Sequence, residues 1–321
     1  MTCCQVPLLF TINDGIIEYH LLFAMTKSNV SIDRNEKEIQ EFTLDWTNKD
    51  IEQRIGINGG RFTRANTFFS FLLSILLSLV FYGILIYLLE PNELIVNYCE
   101  KFTSRGFTPY TIVFLFFWGA STLFVKWRKL LFQEQALDLA VVPQEPDFSL
   151  NTESAKAVLE RTSKLVDSAR NFILLNRIEV ALCNLNNIGQ LSDVSSILSN
   201  QSRIDEQQVA TSYNLIRGFI WATPVLGFIG TVLGLGDAIG GFGQTIAGTQ
   251  EVDAIKESLG RVTAGLSTAF DTTLVGLLAT ILLHFMTNFL KFRESLFLDQ
   301  CNDYCQVHVL AKLKLSNSLD S

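Results

Sequence analysis

Uncharged apolar runs of membrane length are the feature that most restricts the fold of this 321-residue chain. The run 68–89 has 22 residues without a charge, and the run 108–125 has 18. An α-helix rises about 1.5 Å per residue, so about 20 residues cross the hydrocarbon layer of a bilayer. That layer holds no water, and a helix satisfies its own backbone hydrogen bonds there. The two runs therefore predict membrane-spanning helices.

A second pair of apolar runs, 218–236 and 262–290, predicts two more spans in the later half of the chain. The run 218–236 has no charged side chain, and the only carboxylate in the run 262–290 is Asp271. The 24 residues from 237 to 260, which precede Arg261 and the run 262–290, are predicted to be a polar connecting loop. Because consecutive helices usually lie side by side, we expect these two spans to be antiparallel neighbours.

Composition supports a helical membrane protein, since 48% of the residues are apolar and only 18% are charged. We predict an all-α membrane protein with four transmembrane helices and long helices that extend into a cytoplasmic helical domain. Ten Lys and Arg residues flank the spans on the side of both termini, and four flank them on the other side. The positive-inside rule then predicts a multi-pass membrane protein with both termini cytoplasmic.

Span positions and composition divide the chain into five predicted regions. They are a partly disordered cytoplasmic N-terminal region (1–60), a first transmembrane hairpin (61–126), a cytoplasmic helical domain (127–214), a second transmembrane hairpin (215–293) and a cytoplasmic C-terminal helix (294–321).

In the predicted cytoplasmic domain, apolar residues recur three, four and seven positions apart between Val158 and Leu182. This spacing predicts one apolar helical face in a helix that starts at Asn151. A second helix is predicted at 193–199.

Two helices are predicted to join the cytoplasmic domain to the second hairpin. One runs from Asp205 without a break into the third span, because no Pro or Gly occurs before Gly218. The other is the fourth span itself, which is predicted to continue past Arg293 to about Leu315.

A narrow polar band is predicted inside the second hairpin. A carboxylate deep in a membrane helix costs about 2.5–3.5 kcal/mol to insert, so Asp271 is a candidate functional residue. If the third and fourth spans are centred near Phe228 and Val275, Thr231 and Thr273 lie at matching depth on the same side. The alternative is structural: threonines often bond to carbonyls of their own helix, and neighbouring hydroxyls could partner the carboxylate.

Small residues form a stripe on the third span. Gly227, Gly230 and Gly234 are three and four residues apart, a spacing that permits close approach of a second helix in a membrane. Pro224 is tolerated in such a helix and is predicted to kink it by freeing the carbonyl of Ile220.

Two stretches of the second hairpin resemble the motifs of a known family. Residues 223–234 read Thr-Pro-Val-Leu-Gly-Phe-Ile-Gly-Thr-Val-Leu-Gly, and residues 264–277 read Ala-Gly-Leu-Ser-Thr-Ala-Phe-Asp-Thr-Thr-Leu-Val-Gly-Leu. In their order and spacing they resemble the MotA/TolQ/ExbB proton-channel family, closest to its TolQ and ExbB motifs. The four-span layout is nearer to that of MotA.

The resemblance implies roles for particular residues. Thr231 and Thr273 fall on the two pore-lining threonines of the family. The intramembrane glutamate of the family falls on Thr268, and Asp271 lies three residues later on the same helix face. We therefore expect the proton pathway to be lined by these four residues together with Thr272.

The resemblance also implies an assembly. We expect a homo-oligomeric, pentameric ring of this chain around a dimer of a single-span TolR/ExbD/MotB-like subunit. Such a ring is a motor of the bacterial inner (plasma) membrane that is driven by the proton-motive force and couples proton flow to mechanical work.

Other functions are excluded or kept as alternatives. The net charge of −7, with no basic stripe, argues against nucleic acid as a partner and leaves the ring subunits and membrane lipid. No enzyme activity, cofactor or metal is expected. The alternatives are a solute or ion transporter with its site at the glycine-rich third span, and a non-conducting membrane scaffold.

Overall fold

The structure is a computed structural model that describes residues 44–313, except 55, 57–58, 89–101, 104–105, 140, 144, 146–147, 186–190 and 249–251. Regular structure in these residues is helical, with isolated parallel bridges joining Leu44 to Val166 and Leu150 to Leu313. The predicted disorder in the N-terminal region falls mainly on residues 1–43, which lie outside the described part.

The helices are α1 (Trp46–Lys49), α2 (Ile51–Arg54), α3 (Thr67–Leu88), α4 (Thr108–Gln135), α5 (Thr152–Leu165), α6 (Ile173–Cys183), α7 (Leu191–Thr211), α8 (Asn214–Gly248) and α9 (Val252–Tyr304). A 3₁₀ turn, Ala169–Asn171, precedes α6, and a π-helical turn, Cys305–Leu310, continues α9.

Four helices, α3, α4, α8 and α9, are long and apolar enough to cross a membrane, which confirms the predicted fold class. Half of the most apolar window of α4 is buried (50%), against 22% in α3, so α4 is central and α3 forms an outer layer. The two pack through the Ser121 hydroxyl, which donates to the Ser70 carbonyl at 2.9 Å. Phe71 also packs edge-on against Trp118 with ring centroids 5.0 Å apart.

Helices α8 and α9 lie against each other as predicted, but the prediction of a long polar loop between them is wrong. Both helices extend to within a few residues of each other, ending at Gly248 and restarting at Val252. The close contact between the two helices continues as far as Ala238, whereas a Cβ added to Gly240, Gly241 or Gly243 would meet open space. A Cβ added to Gly265 would meet the Cβ of Ala238 and would lie 2.8 Å from the carbonyl oxygen of Gly234.

The predicted helix start at Asn151 is confirmed by a capping box. The Asn151 side chain accepts bonds from the amides of Glu153 and Ser154, at 3.1 and 2.9 Å. The Ser154 hydroxyl in turn accepts a bond from the Asn151 amide at 2.7 Å. These bonds satisfy amides that the first helical turn leaves without partners.

The predicted single apolar face from Val158 to Leu182 does lie in the core, but it belongs to two helices. Val158, Phe172 and Leu182 are all buried, at 3%, 0% and 3% exposure. The chain leaves the helix after α5 because Val166 is extended and forms a bridge to Leu44. The segment returns to helix at α6.

The predictions for α7 need two corrections. The residues from 191 to 211 form one helix rather than two. The helix does not run unbroken into the third span, because the backbone tightens at Ser212 and Tyr213. The amide of Ser212 is shared between the carbonyls of Gln208 and Val209, each at 3.1 Å, and the amide of Tyr213 bonds to the Ala210 carbonyl at 3.4 Å, three residues back instead of four.

Ion pairs are buried below the apolar spans. Lys126 bonds Glu294 at 3.0 Å, and Lys129 bonds Glu52 at 2.5 Å. The side chains of both pairs are at most 3% exposed. A third pair in the bundle, Arg177 with Asp205 at 2.7 Å, is equally enclosed.

Candidate functional site

The glycine stripe of α8 contacts the backbone of α9. A Cβ added to Gly227 would lie 3.2 Å from both the carbonyl oxygen of Thr272 and the Cα of Thr273. At Gly234 it would lie 3.1 Å from the carbonyl oxygen of Gly265. These distances are shorter than most Cβ contacts, so the absence of a side chain at Gly227 and Gly234 lets the backbones of the two helices come close together.

The same stripe extends to a third helix at Gly230. A Cβ there would lie 2.8 Å from the Cβ of Thr272 and 2.9 Å from the hydroxyl of Thr108, at the start of α4. Pro224 lies inside the continuous helix α8, below the stripe. Three spans therefore converge at the level of Gly230.

Thr231 and Thr273 are brought together by this helix contact. Their hydroxyls hydrogen-bond to each other across the helix pair. The Thr231 hydroxyl also lies 3.1 Å from the carbonyl of Ala269 on α9, and the Thr273 hydroxyl lies 3.2 Å from the carbonyl of Gly227 on α8. The depth argument from the sequence therefore describes the geometry correctly, and most of these bonds join the two helices rather than one helix to itself.

The other predicted pathway residues lie on the adjacent turns of α9. Asp271 is buried within the single chain, at 8% exposure, and Thr272 is fully buried. The Thr272 hydroxyl bonds back to the Ala269 carbonyl at 3.0 Å, and the Thr268 hydroxyl to the Ala264 carbonyl at 3.1 Å. The carboxylate and the four hydroxyls thus lie within two turns of one helix pair, a set that we call the polar band. Within it, Asp271 and Thr273 project from nearly opposite sides of α9, because two residues turn a helix by about 200°.

A second polar cluster, which the sequence analysis does not predict, surrounds Glu294, 23 residues and about 35 Å along α9 from Asp271. Glu294 accepts the Tyr213 hydroxyl at 2.5 Å and Lys126 at 3.0 Å, and Lys126 also bonds the Ser212 hydroxyl at 2.8 Å. Lys126 directly follows the uncharged run 108–125, and Glu294 follows soon after the run 262–290. The positions of Lys126 and Glu294 at the ends of two apolar runs can be read from the sequence. That the two side chains pair with each other depends on the fold.

Four apolar helices of membrane length and a polar band between the last two define a multi-pass helical membrane protein. Residues 168–302 match the model of the MotA/TolQ/ExbB proton channel family, which confirms the resemblance seen in the motifs. The match covers α6, α7, α8 and nearly all of α9, so it includes every residue of the polar band. No curated protein and no solved structure matches the chain significantly. The family domain supports a role as a proton channel.

Proposed function

We propose that this chain is the channel subunit of an inner-membrane motor driven by the proton-motive force. Copies of the chain form a pentameric ring around a dimer of a single-span TolR/ExbD/MotB-like subunit, and both termini are cytoplasmic. Proton flow through the ring is coupled to mechanical work, with no catalytic or cofactor chemistry in the chain itself.

The observation that carries the proposal is the coincidence of the family match with the polar band. Asp271 is the carboxylate of the band, and it is buried within the chain in a helix pair whose outer surface is apolar. Thr231 and Thr273 are only partly buried in the single chain, so a neighbouring subunit can reach their side of the helix pair. In the ring, these hydroxyls line the axis and Asp271 takes up and releases the proton.

Large exposed apolar side chains on α8 and α9 support an assembly in lipid. Phe228, Val232 and Ile239 on α8 are 64%, 56% and 57% exposed, and Phe270 on α9 is 65% exposed. Such surfaces are stable against lipid tails or against another apolar helix. A ring of copies covers part of this surface and leaves the rest to lipid.

Proton uptake tests the proposal most directly. The measurement uses inverted membrane vesicles from cells that express the chain with the single-span protein that co-purifies with it. Asp271→Asn should reduce uptake to the level of vesicles without the chain, because an amide cannot carry a proton across the band.

Asp237→Asn is the matched control, since Asp237 is an exposed carboxylate on α8 outside the band. It should leave uptake unchanged. Wild-type uptake in the Asp271→Asn vesicles would remove this residue from the path. Mass photometry of the purified chain separates the alternatives: a pentamer supports the motor, and a monomer favours the transporter.

A further inference from the structure

We propose that the chain binds the phosphate of an anionic phospholipid in a pocket at the membrane border, between the loop 60–68 and the start of α8. The cavity has a volume of about 1110 Å³, and it is lined by that loop, by the end of α7 and by the first residues of α8. The proposal concerns a site separate from the polar band and does not depend on proton flow.

The depth of the cavity follows from the helices around it. It includes Thr67, where α3 begins, and Asn214, where α8 begins, so both spans enter the membrane at this level. Thr122, near the end of the apolar run of α4, also lines it. Phe68 and Leu215 border the cavity and are 62% and 37% exposed. The cavity thus lies where headgroups meet acyl chains.

The charge of the cavity points to an anion. Among its lining residues in the described part of the chain, Arg61 and Arg64 are charged and none is acidic. The remaining polar lining is hydroxyl and amide groups, including Gln208 and Thr211. Guanidinium groups bind phosphate oxygens with paired hydrogen bonds, and basic pockets beside membrane helices bind anionic headgroups.

Buried contacts hold the arginine-bearing loop in place. Glu52 accepts the amides of Gly60 and Asn66 at 3.2 and 2.6 Å, and Lys129 donates to the carbonyls of Gly60 and Arg64 at 3.3 and 3.1 Å. The loop is therefore tied at both ends to one buried ion pair.

Two further features show that the loop conformation is specific. Phe62 has a φ of 58°, a left-handed conformation that costs energy for a residue with a side chain. Arg61 lies over its ring at 4.7 Å, and its guanidinium donates to the Asn176 side chain at 2.7 Å and to the Arg170 carbonyl at 2.9 Å. These contacts hold Arg61 within the protein, and the firmly held loop presents the exposed Arg64 to a ligand without an ordering cost for its backbone.

The test measures retained lipid on the full chain. The chain is purified in mild detergent, incubated with phosphatidylglycerol or phosphatidylcholine, and examined by native mass spectrometry. Wild type should retain phosphatidylglycerol in preference to phosphatidylcholine. Arg64→Gln should lower retention about fivefold, the effect expected from removing one cation at an anionic lipid site, and Arg64→Lys should restore most of it.

Two controls separate the site from general charge. Arg128→Gln removes an exposed cation from α4 outside the lining and should leave retention unchanged. Gln208→Glu adds a carboxylate to the cavity and should lower retention more than Asn200→Asp, which adds one on the same helix outside it.

Equal retention by wild type, Arg64→Gln and Gln208→Glu would overturn the proposal. A separate arm adds inorganic phosphate at millimolar concentration. If phosphate raises the unfolding temperature as much as phosphatidylglycerol does, and does so only when Arg64 is present, the ligand is a soluble anion and the lipid assignment is wrong.

Discussion

The membrane hairpin and the charged region beneath it are held together by different interactions. Between α8 and α9, glycines allow the two helix backbones to come into contact, and threonine hydroxyls form hydrogen bonds between the helices. Below the spans, long charged side chains pair inside a core of aliphatic and aromatic residues.

The difference follows from the two solvents. Lipid tails are as apolar as the side chains, so burial gives membrane helices little attraction, and close packing and hydrogen bonds must provide it. In the water-facing bundle, burial of apolar surface stabilises the fold, and enclosed ion pairs fix which helices meet. Three substitutions test this contrast, in order of decreasing expected effect on stability.

Lys126→Met should have the largest effect. It leaves Glu294, which is 1% exposed, without its cationic partner in a buried site. Removing one partner of a buried pair costs about 3–5 kcal/mol of unfolding free energy. The measurement is reversible unfolding in detergent followed by circular dichroism. The exposed Lys164→Met serves as control, and the double variant Lys126→Met/Glu294→Leu should recover much of the loss. A single variant as stable as the control would contradict the importance of the pair.

Gly230→Ala should have an intermediate effect. Its new methyl would lie 2.7 Å from the Thr272 hydroxyl and 2.8 Å from the Cβ of the same residue, and rotation of the Thr272 side chain cannot relieve the second contact because a Cβ moves only with its backbone. Overpacking of this kind costs about 1–3 kcal/mol. The same unfolding assay is compared with Gly236→Ala, where nothing lies within 4 Å of the added atom. Identical behaviour of the two variants would show that the helices are not held at this distance.

Thr273→Val should have the smallest effect on stability and separates fold from function. It removes the hydroxyl that bonds Thr231 and the Gly227 carbonyl. Hydrogen bonds between membrane helices average about 0.6 kcal/mol, so unfolding should change little. Proton uptake should nevertheless fall if the band conducts. Thr280→Val, whose hydroxyl bonds its own helix at 2.8 Å, is the control for both assays. A loss of uptake in the control as well would assign the effect to packing.

The four membrane-spanning helices could largely be predicted from the sequence, because each is determined by residues that are adjacent in the chain. Each span is a continuous apolar run, and run length alone predicts a crossing. Thr231 and Thr273 meet as expected because two antiparallel helices of known rise have a calculable relative depth. The predicted loop after the third span is wrong because α8 continues through Gly240, Gly241 and Gly243 to Gly248.

The charged region could not be predicted in the same way because its contacts span the chain. Glu52 meets Lys129 across 77 residues, and Tyr213 meets Glu294 across 81. The tightening of the backbone at Ser212 accompanies these long-range bonds, and no Pro or Gly marks it. Nothing in the local pattern around Tyr213 distinguishes it from a residue inside a continuous helix.

The length of α9 has a mechanical consequence. Its 53 residues form one uninterrupted rod of about 80 Å that begins beyond the membrane and ends in the bundle. A tilt of about 5° at one end of such a rod moves the other end by roughly 7 Å, by the geometry of a straight helix. Under the proposed function, a rearrangement that tilts α9 by the same angle at Asp271 displaces Tyr304, 33 residues away, by roughly 4 Å.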